Sequence, residues 1–226
     1  GNHFDIVKKL ERKNNWQIIV EKPTFLNPSN FLQAKDFKNK IIPIFQNRYN
    51  KSVVKAKEIL SKNLIGDIHY ASLTLDWFRP QRYYNLADWR GSWLNDGGVS
   101  TNQGIHYFDI TNHLLGGFKN VFARMRRIAV DIQCEDYLVA FFELNSGLNL
   151  DVRMTTALRH PEEEASLVIN GSKGTLKLHG VCCNKLLLTM GDGNKEVILG
   201  KGKKTEWGEE VEMPYGYGHK TMFKIL

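Results

Sequence analysis

No G-x-G-x-x-G run occurs anywhere in the sequence, and no acidic residue can be assigned the place about 20 positions after one. The chain therefore carries no recognisable glycine turn for gripping a dinucleotide's phosphates. Cysteine is scarce: Cys134 stands alone and Cys182 and Cys183 are adjacent, which fits neither a disulfide framework nor the paired spacing of a zinc site. They read as free thiols of a reducing compartment. Uninterrupted apolar runs fall well short of the roughly 18 residues a membrane span needs, and no signal-peptide pattern opens the chain. The expectation is a soluble cytoplasmic protein with no membrane partner.

What is present is ordinary globular composition: 226 residues, 42% hydrophobic and 24% charged, enough for one substantial core or one domain plus a fragment. The net charge of +7 raises the question of a polyanion. Its densest clusters, ARMRR at 123–127 and GKGKK at 200–204, are short and lack interleaved aromatics, so no nucleic-acid partner is expected. A phosphate-bearing small substrate, or simply solvated lysines, accounts for the excess equally well.

The patterning predicts a helix over 3–14, a short strand in WQIIVEKP that stops at Pro23, an amphipathic helix near 28–37, and a strand in KIIPIFQNRYN. A helix follows in SVVKAKEILSK, with Val53, Val54, Ile59 and Leu60 as its apolar side, then a long strand in DIHYASLTLDWF. From 119 onward, strand patterns alternate with turn signals such as NSG at 145–147 and NGSKG at 170–174. They predict an α/β (α+β) fold with an open, mostly antiparallel sheet of about six or more strands and helices on one face. LNLDVRMTT alternates cleanly, whereas YLVAFFEL is apolar on both sides and is expected to be covered on both. A second subunit or long loops would supply the second cover. The chain opens on a helix with no strand before it and closes on the beginning of a helix, GYGHKTMFKIL, so it reads as an interior piece of a longer protein.

The stretch GGVSTNQGIHYFDITNHLLGG, 97–117, sets Asn102, His106, Asp109 and His113 among small and apolar residues. As a helix begun by Ser100 or Thr101 and ended at Gly116, it would carry the four at i, i+4, i+7 and i+11, on one face. A polar stripe inside an apolar stretch faces either a ligand or a satisfied core network. Asp109 reads equally as a substrate contact or as an orienting partner for a neighbour. His113 reads as structural, because two turns from His106 it lies roughly 10 Å away, too far for one metal ion to hold both. No metal site is expected. VEKP at 20–23 sets Lys22 directly after a buried strand, at the carboxyl edge where open α/β folds place ligands, although any exposed Lys-Pro turn would look the same.

VEKP, WRG at 89–91 and GGVSTNQGIHYFD together resemble the Gfo/Idh/MocA family of glucose-fructose oxidoreductase and inositol dehydrogenase. The resemblance runs over essentially the whole chain. It implies that 1–23 is the end of a Rossmann domain binding NAD or NADP and that 24–226 is the substrate-binding and oligomerisation domain. It implies a hydride transfer between that cofactor and a secondary alcohol of a sugar or nucleotide sugar. Lys22, His106 and Asn102 match the catalytic positions, His106 as general acid/base because imidazole titrates near neutrality. Asn102 stands where many members have aspartate, which removes a carboxylate from the histidine's surroundings. Asn2, His3, Glu21, Lys22 and Arg90 fall on the cofactor side. Lys22, Arg48, Tyr49, Asn102, His106 and Asp109 fall on the substrate side, although Arg48, Tyr49 and Arg90 also read as plain surface. NQGIH, QNRYN and DWRGSW resemble the subgroup acting on nucleotide-linked sugars in surface-polysaccharide (lipopolysaccharide) synthesis. A homodimer or homotetramer through the sheet is expected. The competing reading is a non-catalytic paralogue kept for oligomerisation or ligand sensing.

Overall fold

The computed structural model of the chain describes residues 2–11, 16–159, 164–193, 195–199, 203–204, 210–211 and 218–225. Its first part is a small unit: helix α1 (His3–Glu11), strand β1 (Gln17–Val20), helix α2 (Pro28–Ala34) and strand β2 (Lys40–Pro43). β1 and β2 pair in parallel, and Val7, Ile18, Val20 and Phe25 form a core of their own with Phe4, Leu10 and Phe37 around it. α2 starts where Asn27 accepts the N–H of Ser29 at 2.9 Å and Pro28 takes the first turn, a place that needs no N–H donor. It ends at Ala34, short of 37, and the last positions of the predicted first helix, 12–14, lie outside the described residues.

Only Lys40–Pro43 of KIIPIFQNRYN is strand. Gln46–Tyr49 forms a 3-10 turn, since past Pro43 the chain has no further strand to pair with and folds back into α3 (Lys51–Ser61). α3 buries Val53, Ala56 and Ile59, whereas Val54 is turned to solvent. β3 (Ile68–Asp76), the short helix α4 (Gln81–Tyr84) and α5 (Ile105–Leu115) follow. Then come β4 (Phe118–Arg126), β5 (Tyr137–Leu144), β6 (Asn149–Thr155), β7 (Glu164–Gly171), β8 (Gly174–His179), β9 (Lys185–Met190), β10 (Lys195–Leu199) and α6 (Gly218–Ile225).

β3 to β10 form one eight-stranded sheet in the order β10-β9-β8-β7-β3-β6-β5-β4. Every neighbouring pair is antiparallel except β3 with β6. Alternation sends Leu73, Leu75, Leu150, Met154, Leu167, Ile169, Leu176 and Leu178 to one face, where α3 and α5 cover them with Val53, Ile59, Tyr107 and Ile110. Truncating one of these to alanine costs about 2–5 kcal/mol, so this face holds most of the fold's stability. The expectation that β5 is covered on both sides does not hold within the chain. Its inner side packs Phe142 against Phe108 of α5, 5.5 Å between centroids, but Phe141 on the other side is 49% exposed. Beside it on the edge strand β4, Phe122 is 77% exposed.

Candidate active site

Three strand ends deliver the site. Lys22 lies two residues past β1, Gln46 three past β2, and Trp77 directly past β3, so all three segments leave the carboxyl edges of their strands. The N–H of Trp77 and that of Arg79 continue the pairing to Thr155 and Thr156, both at 2.9 Å, which fixes the direction of their side chains. The fourth wall is the loop before α5. Gly97 adopts φ +80°, and a Cβ there would overlap the Thr101 hydroxyl, while one at Gly98 would meet the Glu135 carboxylate. The double glycine therefore serves a tight loop and not a helix start. Ser100 caps nothing: its N–H and hydroxyl both donate to Glu135, at 3.0 and 2.5 Å. Turns occupy 99–104, and the helix proper begins at Ile105. Asn102 thus precedes the helix, and only His106, Asp109 and His113 share it. The stop at Gly116, φ +93°, is where the double glycine predicts it.

Lys22 Nζ donates to the Asn102 carbonyl at 2.9 Å and to Asn102 Oδ1 at 3.4 Å. Asn102 Nδ2 donates to Asp96 Oδ1 at 2.6 Å, and Asp96 Oδ2 accepts the Gly91 N–H at 2.8 Å. Burial lowers the affinity of Lys22 for its proton, opposed by the charges of Glu21 and Asp96. Burial raises Asp96, opposed by the Gly91 N–H and by Arg90 and Lys22. His106, on the first turn of α5, is pushed down to about 3, first by burial and then by Lys22 and His219. It is a neutral imidazole and not the near-neutral titrant that its residue type suggests, and its buried Nδ1 has no hydrogen-bond partner.

Two cavities meet at Lys22. The inner one, about 120 Å³, is walled by Gln46, Asn47, Trp77, Arg79 and His106, and the outer, about 510 Å³, by Asn2, His3, Pro23, Trp89 and Arg90. Lys22, Tyr83 and Asn102 line both. Around the inner cavity Gln46 Oε1, Asn47 Oδ1, Trp77 Nε1 and His106 Nδ1 are all buried and unpartnered. Each such group costs about 1–3 kcal/mol while it stays unsatisfied, so four of them on residues lining one cavity mark it as a candidate binding site. In the outer cavity His3 Nδ1 donates to the Pro23 carbonyl at 3.0 Å, and the Lys22–Pro23 peptide is cis. The Arg90 guanidinium stacks on Tyr83 and Trp89 at 4.2 and 4.8 Å, with its buried Nε unpartnered.

The remaining expected residues fall elsewhere. Arg48 and Asp109 pair with each other: Arg48 Nε donates to Asp109 Oδ2 at 2.7 Å and Nη2 to Oδ1. Tyr49 is half-buried beside them on the same 3-10 turn. Glu21 is exposed, accepts the Lys22 N–H at 3.1 Å and lies 3.8 Å from His219. His113 is held by Lys57, whose Nζ reaches its carbonyl at 3.0 Å and its Nδ1 at 3.4 Å, outside both cavities. Sequence reasoning missed Asp96, Gln46, Asn47, Trp77, Tyr83 and His219. Asp96 had a signal in hindsight, a lone carboxylate directly before the double glycine. His219 arrives with α6, where Gly218 allows close contact with the Gln46 carbonyl, 1.9 Å from where a Cβ would sit.

The family model of the GFO/IDH/MocA C-terminal domain matches residues 53–177, more than half of the chain. The chain belongs to the Gfo/Idh/MocA family. An uncharacterised oxidoreductase of Escherichia coli (strain K12), YdgJ, is 24% identical over 193 residues, 79% of this chain and 51% of its own length. Among solved structures, the WlbA dehydrogenase of Bordetella pertussis, in complex with NADH and UDP-GlcNAcA, is 29% identical. It superposes with a TM-score of 0.77 over 82% of this chain and 59% of that one. Levoglucosan dehydrogenase, solved with NADH and levoglucosan, shares the fold at a TM-score of 0.80 with 17% identity, over 99% of this chain and 66% of that one. The Gfo/Idh/MocA chain described here thus spans about half the length of the curated relative it matches and under two thirds of the WlbA structure. Among its described residues, no helix is long and apolar enough to cross a membrane.

Proposed function

We propose that the complete protein is an NAD(P)-dependent dehydrogenase that oxidises a secondary alcohol of a sugar or nucleotide sugar. In this reading residues 1–23 end a dinucleotide-binding domain and 24–226 form the substrate and oligomerisation domain. The observation that carries it is the pair of cavities sharing Lys22, Tyr83 and Asn102, the inner one lined by four residues that each carry a buried polar atom without a hydrogen-bond partner. Two buried carboxamide oxygens ask for hydroxyl donors and the Trp77 N–H asks for an acceptor, a set that a ring bearing several hydroxyls supplies. The outer cavity suits the nicotinamide end of a dinucleotide, lined by the aromatic side chains of Tyr83 and Trp89, which the Arg90 guanidinium holds by stacking on both. When bound, that cofactor supplies the hydride acceptor.

The chain's own part is acid–base. Lys22 donates to the substrate hydroxyl oxygen and favours the alkoxide that develops there, and His106 accepts the hydroxyl proton at Nδ1, directly or through one water. The ligand-free imidazole is a weak base because Lys22 and burial oppose its charge. An alkoxide forming between the two offsets the ammonium and strengthens the base when it is needed. UDP-linked sugars lead the substrate candidates, since the WlbA neighbour was solved with UDP-GlcNAcA, and surface-polysaccharide synthesis is the role that the sequence resemblance implies.

The open sheet face around Phe122 and Phe141 suits a second copy in an isologous dimer or tetramer. A mass near 26 kDa in light scattering at high micromolar concentration would contradict that. The test of the activity is NADH or NADPH formation by the complete protein with UDP-linked sugars. Turnover by the wild type is expected, and none across the panel with either cofactor overturns the reading. The 226-residue chain alone, without a glycine fingerprint, is expected to bind dinucleotides weakly, and micromolar calorimetric affinity would count against the division of labour.

A further inference from the structure

Asp96 is 5% exposed, and both of its carboxylate oxygens are hydrogen-bonded, one to the Gly91 N–H and one to Asn102 Nδ2. The loop that holds it is tightly braced. The N–H groups of Asp96 and Gly97 both donate to the Ser92 carbonyl, at 3.1 and 2.9 Å, and the Gly91 carbonyl accepts from Gln133 and Cys134. Gly91 itself adopts φ +66°, with Ile132 where a Cβ would go. Asp96 therefore has no freedom to follow its neighbours, and they must follow it. An amide has one donating and one accepting end, so a carboxylate gripping Nδ2 leaves Oδ1 of Asn102 turned toward the ammonium.

We infer that Asp96 is a positioning residue for Lys22: its carboxylate fixes the Asn102 carboxamide, and the carboxamide aims the ammonium at the wall shared by the two cavities. The inference rests on the reading of Lys22 as the group that meets the substrate hydroxyl. Without the carboxylate, the amide is free to rotate and present its own N–H groups to the ammonium, which repels it. The other groups acting on this assembly are Glu21, whose charge favours the ammonium, and His106, which the ammonium disfavours in its charged form. Arg90, Tyr84 and Cys134 lie around Asp96, and His219 lies beyond His106. Of the two carboxylates near Lys22, only Asp96 is tied to it by a hydrogen-bonded chain of side chains.

The test is a charge transposition. Asp96→Asn keeps the shape and an acceptor for the Gly91 N–H, and the double variant Asp96→Asn with Asn102→Asp moves the carboxylate one link closer to the lysine. The titration of Lys22 is followed through its side-chain NMR signals in the 226-residue chain. Asp96→Asn is expected to lower the Lys22 midpoint by about half a unit or more, and the double variant to return it to the wild-type value or above. An unchanged midpoint in Asp96→Asn, or a double variant no different from the single one, overturns the inference. In the complete protein Asp96→Asn should lower kcat about 10-fold with KM nearly constant, and the double variant should recover most of it. A wild type that turns over no sugar refutes the dehydrogenase reading and leaves the NMR result to decide the positioning role. The wild-type chain also provides a test that needs no variant to fold. The Asn102 side-chain amide should be protected from exchange and should shift as Asp96 protonates, whereas a rapidly exchanging amide overturns the proposal.

Discussion

At one end of α5, His106 is buried with Nδ1 unpartnered beside three further unpaired polar atoms. At the other, His113 receives Lys57 on both its ring and its carbonyl. A cavity of about 590 Å³ lies at the second end, lined by Lys57, His69, Leu114 and Leu148 among others. None of the unpartnered buried polar atoms among the described residues belongs to its lining. The difference teaches that volume alone does not single out a candidate site. Groups left unsatisfied at a cost to the fold are more specific, because a ligand or an ordered water must repay them.

The sharpest way to break the comparison is to cut each end. Lys22→Ala or His106→Ala in the complete protein should lower turnover by about 10²- to 10⁴-fold in steady-state assays, with dinucleotide affinity nearly unchanged. His113→Ala should stay within about threefold of wild type. Equal losses at both ends would remove the distinction.

Between the ends lies the Arg48–Asp109 pair, with the Asp109 side chain 7% exposed and that of Arg48 34%. Arg48→Ala leaves a mostly buried carboxylate without its partner, and denaturant melts should show a loss of about 1–3 kcal/mol, discounted for the exposure of the arginine. A change below a few tenths of a kcal/mol would mean that the aspartate finds water as readily as the guanidinium.

The pH dependence separates the ends again. His106 is depressed to about 3 in the folded chain against about 6.5 unfolded, so the unfolded state binds the extra proton first as the pH falls. Stability contributed by the neutral imidazole is intact above pH 6.5 and is lost between 6.5 and 3, at up to about 1.4 kcal/mol per pH unit. His106→Gln should flatten the fall of the melting temperature across that window. A wild-type slope retained in the variant would show that carboxylates alone carry it.

The smallest expected effect runs opposite to function. Gln46→Met and Asn47→Leu each replace a buried side chain whose carbonyl oxygen lacks a partner by an apolar one of similar size, so each should stabilise the chain by about 1 kcal/mol in thermal melts. The same variants should raise KM for the sugar about 3- to 10-fold. Destabilisation by either would mean that an ordered water already satisfies the group.

Much of the fold was legible because the sheet strands alternate. LNLDVRMTT gives β6 and its buried face directly, and the glycines at 116 and 147 mark real turns of positive φ. The front of α5 was misread because Ser100 and Thr101 satisfy the local rules for a helix cap, while Glu135, a long-range partner 35 residues away, takes Ser100 instead. QNRYN was misread as strand for a similar reason: it continues the apolar run IIPIF at 41–45, but the parallel partner β1 ends at Val20. Lys22, Asn102 and His106 were found through spaced motifs. Gln46, Asn47 and Trp77 were not, because an unpartnered atom is a property of packing that no local pattern encodes. Asp96 was hidden likewise, since its role exists only through a loop braced by residues 133 and 134.

The most direct test of the account is a crystal structure of the complete protein with a UDP-linked sugar bound. The sugar ring is expected in the 120 Å³ cavity, with one hydroxyl between Lys22 Nζ and His106 Nδ1 and others on Gln46 and Asn47. A ring seated in the larger cavity beside Lys57 and His69, or one making no contact with Lys22 and His106, would contradict it.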